Sequence, residues 1–182
     1  VMAHFLKSVQ EKGLKTSIDV VSDSCADYGR KIIPALRYCD YAIMNEVEST
    51  RIWNRNAYTE DGKLYTENIR ETMMRMADCG VREKIIVHAK DAAFCYQVKN
   101  KTFTMVPSLE IAPALIKGSV GAGDSFCAGS LYGIYHGLSD REILTFASAA
   151  AACNLFCENS IDGMKTAQEI WEMTKAFQRK TI

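Results

Sequence analysis

Short apolar runs alternate with amphipathic stretches along most of this chain. Three runs predict buried strands: Thr16–Val21, Tyr41–Met44 and Lys84–Ala89. The stretches around them carry helical spacing. Phe5, Leu6 and Val9 share one side of a helix over Ala3–Gln10, with Gly13 as its stop. Ile32–Tyr38 predicts a short helix in which Pro34 is tolerable only near the start. A further helix opens over Glu46–Ile52, and Ile69, Met73, Met76 and Ala77 mark another over Asn68–Cys79, with Gly80 as its cap. Ser22–Gly29 and Asn54–Leu64 are polar and read as surface loops. Ala93–Val98 and Thr102–Val106 flank Lys99-Asn100-Lys101 as a hairpin. Beyond it come a helix over Ser125–His136 ended by Gly137, then an Ala-rich helix to about Phe156 and a last helix. The capping boxes Ser139-Asp140-Arg141-Glu142 and Thr166-Ala167-Gln168-Glu169 open these two. The alternation predicts an α/β fold with a mainly parallel sheet. No repeat, linker or low-complexity segment interrupts it.

Composition narrows the class. The 182 residues suffice for one substantial domain. A hydrophobic content of 48% and a charged content of 24% are those of an ordinary globular protein. The net charge of zero favours neither nucleic acid nor an anionic membrane. No apolar run approaches the ~20 residues of a membrane span, and Val1-Met2-Ala3-His4-Phe5-Leu6 lacks the pattern of a signal peptide. Seven cysteines without a CxxC pair, among them Cys39, Cys79, Cys127 and Cys153, read as reduced, buried thiols of a cytoplasmic protein. Cys153 and Cys157 lie four apart, but two thiols at this spacing do not by themselves complete a metal site. The first helix follows neither a cap nor a strand, so the expectation is a chain that begins inside a larger fold.

Candidate chemistry concentrates at Gly121-Ala122-Gly123-Asp124-Ser125-Phe126. Two glycines permit close backbone approach and positive φ. A turn of this kind before a helix aims amides at an anion, with the helix dipole adding to them. Asp124 stands where a general base could take a proton from a hydroxyl attacking that anion. Phosphoryl transfer needs this combination. The spacing is neither that of a Walker loop nor that of the dinucleotide fingerprint. The bland alternative is a tight turn before a helix. His88, ending an apolar strand, reads as a packed, hydrogen-bonded residue rather than an acid or base. His4 and His136 suggest no ligand set, and Met73, Met74 and Met76 read as core and helix filler.

With Cys127-Ala128-Gly129-Ser130 and the rest of the following helix, this stretch resembles the C-terminal signature of the ribokinase-like (PfkB-type) carbohydrate kinases. Asn45-Glu46-Val47-Glu48 resembles the family's Asn-x-x-Glu motif, and Asp19 lies where the family often has an aspartate. The order of elements agrees over nearly the whole chain. The resemblance implies a three-layer α/β/α fold and a single partial domain over residues 1–182, matching about the C-terminal three-fifths of a member. It implies an ATP-dependent kinase acting on a sugar or sugar-like alcohol, with Mg²⁺. Asp124 would be the general base. Gly121, Ala122 and Gly123 would form the anion hole. Asn45 and Glu48 would organise Mg²⁺, Glu48 through water. Lys90 would meet a phosphate, and Ser148 stands where some relatives have an asparagine near the adenine. Read without the resemblance, Glu48 is a solvated helix-start residue favoured by the dipole.

Departures from the family pattern are equally legible. Gly118-Ser119-Val120 replaces Asp-Thr-Thr, which puts a monovalent-cation requirement in doubt, and Lys117 could supply that charge instead. His88-Ala89-Lys90-Asp91-Ala92-Ala93 replaces Thr-x-Gly-x-x-Gly, and no Gly-Gly pair occurs anywhere. The N-terminal strands, the lid and the sugar-binding half are therefore expected to be absent. Two other classes stay open: a catalytically silent fragment that pairs with another chain, as in a homodimer, through its sheet edge, and a related kinase for a nucleoside or vitamin.

Overall fold

Five strands join in one sheet whose order in space follows the chain: β1 (Ser17–Ile18), β2 (Tyr41–Asn45), β3 (Lys84–His88), β4 (Ala92–Gln97) and β5 (Thr102–Pro107). The computed structural model describes residues 1–21 and 27–182, so most of the loop expected over Ser22–Gly29 lies outside the described residues. β1 pairs parallel to β2, with Ser17 opposite Tyr41 and Ile18 opposite Ala42. The link Ala89-Lys90-Asp91 is closed by the Ala89 amide on the Ala92 carbonyl at 2.8 Å. A link this short cannot make a parallel crossover, so β4 returns antiparallel to β3, and β5 to β4 by the same argument. The sheet is mixed, not mainly parallel: two tight hairpins in its second half outweigh the helical crossovers of its first.

The chain divides into two compact units, Val1–Val87 with Cys95–Phe103, and His88–Phe94 with Thr104–Ile182. In the first, α1 (Met2–Glu11) stops before Gly13 as expected. The run Thr16–Val21 does not form a buried strand throughout. Only Ser17 and Ile18 pair, and of these Ile18 alone is buried. Among the described residues β1 pairs with β2 alone, and Asp19, just after it, accepts the Val20 amide on its own side chain at 2.8 Å. α2 (Tyr28–Leu36) begins earlier than predicted and therefore holds Pro34 in its interior. The proline removes an amide donor there, and the helix ends two residues on. α3 (Glu46–Arg51) and α4 (Thr66–Asp78) connect β2 to β3. Ile69, Met73 and Met76 of α4 are fully buried, as are Ile85, Ile86 and Val87 of β3.

The second unit is built on α5 (Ala122–Tyr135), α6 (Asp140–Asn154) and α7 (Ala167–Ala176). Small residues bring α5 close to α6: a Cβ at Gly129 would lie 2.9 Å from the Ala147 Cα. Leu109, Phe146, Ala150, Cys153 and Ile170 fill the core below, with Tyr132 and Trp171 against it. Both expected capping boxes are present, at Ser139 with Glu142 and at Thr166 with Glu169. Each such cap is worth about 1 kcal/mol. The described cysteines are free thiols, and burial pushes Cys39 up to about 12. Among the described residues no helix is long and apolar enough to cross a membrane.

Polar groups tie the starts of the first strands together. Asp40 is buried and accepts the Thr16 amide at 2.8 Å and the Thr16 hydroxyl at 3.2 Å. Its carbonyl receives the Glu83 amide at 3.0 Å. The Glu83 carboxylate accepts from the Lys15 ammonium and from the Tyr41 hydroxyl, the latter at 2.7 Å. Burial acts to raise the Glu83 pKa, but the hydrogen bonds from Lys15 and Tyr41 outweigh it and hold the carboxyl below its usual range. A depressed carboxylate stabilises the fold above its unfolded pKa and loses that contribution as pH falls through its folded value. Glu83→Gln is therefore expected to lower the melting temperature at pH 7 and to flatten its decline from about pH 5 to about pH 3. Parallel melting curves for both proteins across that range check this; an unchanged slope refutes it.

Candidate active site

Gly121 caps α5 in the left-handed conformation, at φ +80°, with no side chain capping the helix. α5 thus starts at Ala122, not at Ser125 as the sequence pattern predicts, and Asp124 sits on its first turn. The Ala122 amide donates to the Ser119 carbonyl at 3.2 Å, and the Ser125 amide to the Gly121 carbonyl at 2.9 Å. Among the described residues, no acceptor meets the amides of Gly121, Gly123 and Asp124. They are the open donors that every helix start leaves. The Asp124 side chain is exposed, and no donor among the described residues engages its carboxylate. One turn thus offers free amides together with a free carboxylate, which can hold an anion and accept a proton beside it.

The surroundings of this turn fix its shape. A Cβ at Gly121 would lie 2.5 Å from the Ser160 Cβ, so glycine is required twice over, by φ and by space. The Ser125 hydroxyl donates to the Met164 sulfur at 3.2 Å. His88, at the end of β3, packs its ring against Phe126 at 4.6 Å between centroids, and Gly123 faces the same ring. No hydrogen bond reaches the His88 ring among the described residues, so it is packed as expected but not hydrogen-bonded. Burial lowers its pKa to about 4, leaving it neutral near pH 7.

The other candidate residues take different positions. Lys90 is exposed in the β3–β4 turn, where its carbonyl accepts from the Lys180 ammonium at 3.1 Å. Ser148 lies on α6 at 7% exposure, its hydroxyl buried without a partner among the described residues. Lys117 is exposed, and its amide donates to the Leu155 carbonyl at 2.8 Å. In the first unit, Asn45 and Glu48 form a reciprocal cap of α3. The Glu48 amide donates to Asn45 Oδ1 at 2.8 Å, and the Asn45 amide to Glu48 Oε2 at 3.0 Å. Glu48 is 6% exposed, so it is not the solvated residue of the alternative reading. The Asn-x-x-Glu spacing is itself a capping-box signal.

One functional candidate was missed from the sequence. Asn154, the last residue of α6, is 0% exposed, and its amide group donates to the Val120 carbonyl at 2.7 Å. The only hint is a polar residue closing an Ala-rich run.

The chain matches the model of the pfkB family carbohydrate kinases over residues 2–167. It belongs to that family. Among curated proteins, this pfkB-family chain is 28% identical to the 5-dehydro-2-deoxygluconokinase of Geobacillus thermodenitrificans over 111 residues, 61% of the chain and 32% of that protein. It is 27% identical to the enzyme of the same name from Clostridium beijerinckii over 138 residues, 74% of the chain and 40% of that protein. Among solved structures, ribokinase of Arabidopsis thaliana complexed with ribose and ATP matches with a TM-score of 0.76 at 20% identity, covering 96% of the chain and 52% of that structure. The 2-dehydro-3-deoxygluconokinase of Thermotoga maritima matches with a TM-score of 0.74 at 19% identity, covering 93% and 53%. The pfkB-family chain thus spans about half the length of these solved proteins and 32% to 40% of these curated ones. The likeness shows the three-layer α/β/α ribokinase-like fold.

In this family member, Gly121→Ala is expected to destabilise by about 2–4 kcal/mol, the sum of a left-handed alanine and an overpacked contact. Gly137, at φ +67° with nothing within 4 Å of a Cβ, is the control. Gly137→Ala adds only the conformational cost of about 1 kcal/mol. Denaturant unfolding of both variants measures the difference; equal losses would show that Ser160 does not crowd the turn.

Proposed function

We propose that this chain carries the phosphate half of an ATP-dependent kinase that phosphorylates a hydroxyl of a sugar-like substrate. The observation that carries the reading is the first turn of α5, where the amides of Gly121, Gly123 and Asp124 meet no acceptor among the described residues and the Asp124 carboxylate is exposed beside them. The names of the curated relatives favour a keto sugar acid as the acceptor.

In this reading Asp124 takes the proton of the acceptor hydroxyl as its oxygen bonds to the γ-phosphorus. The bond from that phosphorus to the β–γ bridging oxygen breaks, and ADP leaves. The free amides of the turn hold the charge that develops on the migrating group. Ala122 contributes less than its neighbours, because its amide already has the Ser119 carbonyl. Lys90 and Ser148 are the further nucleotide contacts of this proposal.

Mg²⁺, when bound, would neutralise charge on the ATP phosphates. The donor set fits an ion held through water. Among the described residues no three His, Cys, Asp or Glu side chains gather as a metal site, and Mg²⁺ keeps several waters where few carboxylates meet it. Glu48 would hold that water shell from its capping position, oriented by the Asn45 amide on Oε2.

Asp124→Asn in the protein expressed from its complete reading frame is expected to lower turnover by ~10²-fold or more while leaving the fold intact. A screen of ATP-dependent phosphorylation across sugars, sugar acids and nucleosides supplies the substrate. Turnover within a few-fold of the parent would sink the role given to Asp124.

A further inference from the structure

We infer that Asn154 is a positioning residue that fixes the phosphate-facing turn from behind, by tying the chain just before Gly121 to the end of α6. Four observations converge on it. Asn154 is 0% exposed, and its Nδ2 donates to the Val120 carbonyl at 2.7 Å. Val120 directly precedes the left-handed Gly121, so this bond holds the carbonyl that leads into the turn. One residue further along, the Leu155 carbonyl receives the Lys117 amide at 2.8 Å, a second tie between the same two segments. The following loop then closes over both. A Cβ at Gly163 would lie 2.5 Å from the Asn154 Cα, and one at Gly118 would lie 2.9 Å from the Cys157 carbonyl oxygen.

The fourth observation separates positioning from plain stabilisation. Among the described residues, Asn154 Oδ1 is buried with no hydrogen-bond partner. A buried orphan acceptor is destabilising. An apolar side chain of the same branching would remove that penalty and suit a purely structural role better. Asparagine contributes something leucine cannot: a donor aimed at Val120. The consequence for nucleotide binding rests on the kinase reading. If the amides of the turn hold a phosphate, their placement depends on this bond.

The test compares Asn154→Ala and Asn154→Leu with the parent chain. Hydrogen exchange is read at the Lys117 and Ser125 amides, which are bonded within this region, and at Ile85 and Ile86 in the sheet. Melting temperature and MgATP affinity are measured on the same samples. Both variants are expected to exchange about tenfold faster at Lys117 and Ser125 and no faster at Ile85 and Ile86, the effect of one lost hydrogen bond. The leucine variant is expected to melt no lower than the parent, and both variants to bind MgATP about tenfold more weakly. Exchange unchanged at Lys117 and Ser125, or raised equally everywhere in step with melting, would overturn the role. If the alanine variant does not fold, the leucine variant, which fills the space, decides. A parent protein, expressed from its complete reading frame, that binds no MgATP would sink the kinase reading, while the exchange data would still decide the role of Asn154.

Discussion

The left-handed conformation of Gly121 is the constraint on which the second unit's candidate site depends. At φ +80° the chain reverses into α5 without a capping side chain, and the Ser160 Cβ occupies the space a Cβ at 121 would need. A side-chain cap would have taken one of the amide donors of the first turn. Without it, the amides of Gly123 and Asp124 both meet no acceptor among the described residues, at the end of the helix where the dipole favours negative charge. Helix start, open donors and exposed carboxylate are one feature, created by a single backbone angle. The segments packed against it, from Lys117 to Val120 and from Asn154 to Met164, hold that angle in place.

The first unit solves the opposite problem at Asn45. There the helix start is fully capped: Asn45 and Glu48 satisfy each other's amides at 2.8 and 3.0 Å. The arrangement holds a buried carboxylate in one orientation through a local exchange of hydrogen bonds. An anion-binding start needs donors left open, whereas a carboxylate meant to order water around a cation needs a fixed acceptor. The two helix starts, uncapped at α5 and doubly capped at α3, suit the different charges proposed for them.

Much of the architecture was legible because its signals are local. Apolar runs located the central strands, and Ser139 with Glu142 and Thr166 with Glu169 marked two helix starts correctly. The same rule applied to Asn45 and Glu48 would have revealed their cap, which a functional motif reading obscured. The errors came where neighbours decide. Thr16–Val21 reads as a buried strand, but among the described residues only Ser17 and Ile18 pair, with β2. Pro34 reads as a helix-start residue, yet α2 begins earlier and carries it inside. The sheet reads as parallel until the hairpins on either side of β4 are given their full weight.

The sequence by itself determined the strand and helix order, the glycine turn and its acid, and the resemblance that the family match upholds. Those properties are written within a few consecutive residues, where propensity and capping act. Only the tertiary structure decided that the turn begins a helix at Ala122, that Ser160 crowds Gly121, and that Asn154 reaches Val120 across 34 positions of chain. Contacts at that separation depend on how α5, α6 and the loop after them pack, and no local pattern records which buried amide will meet which carbonyl.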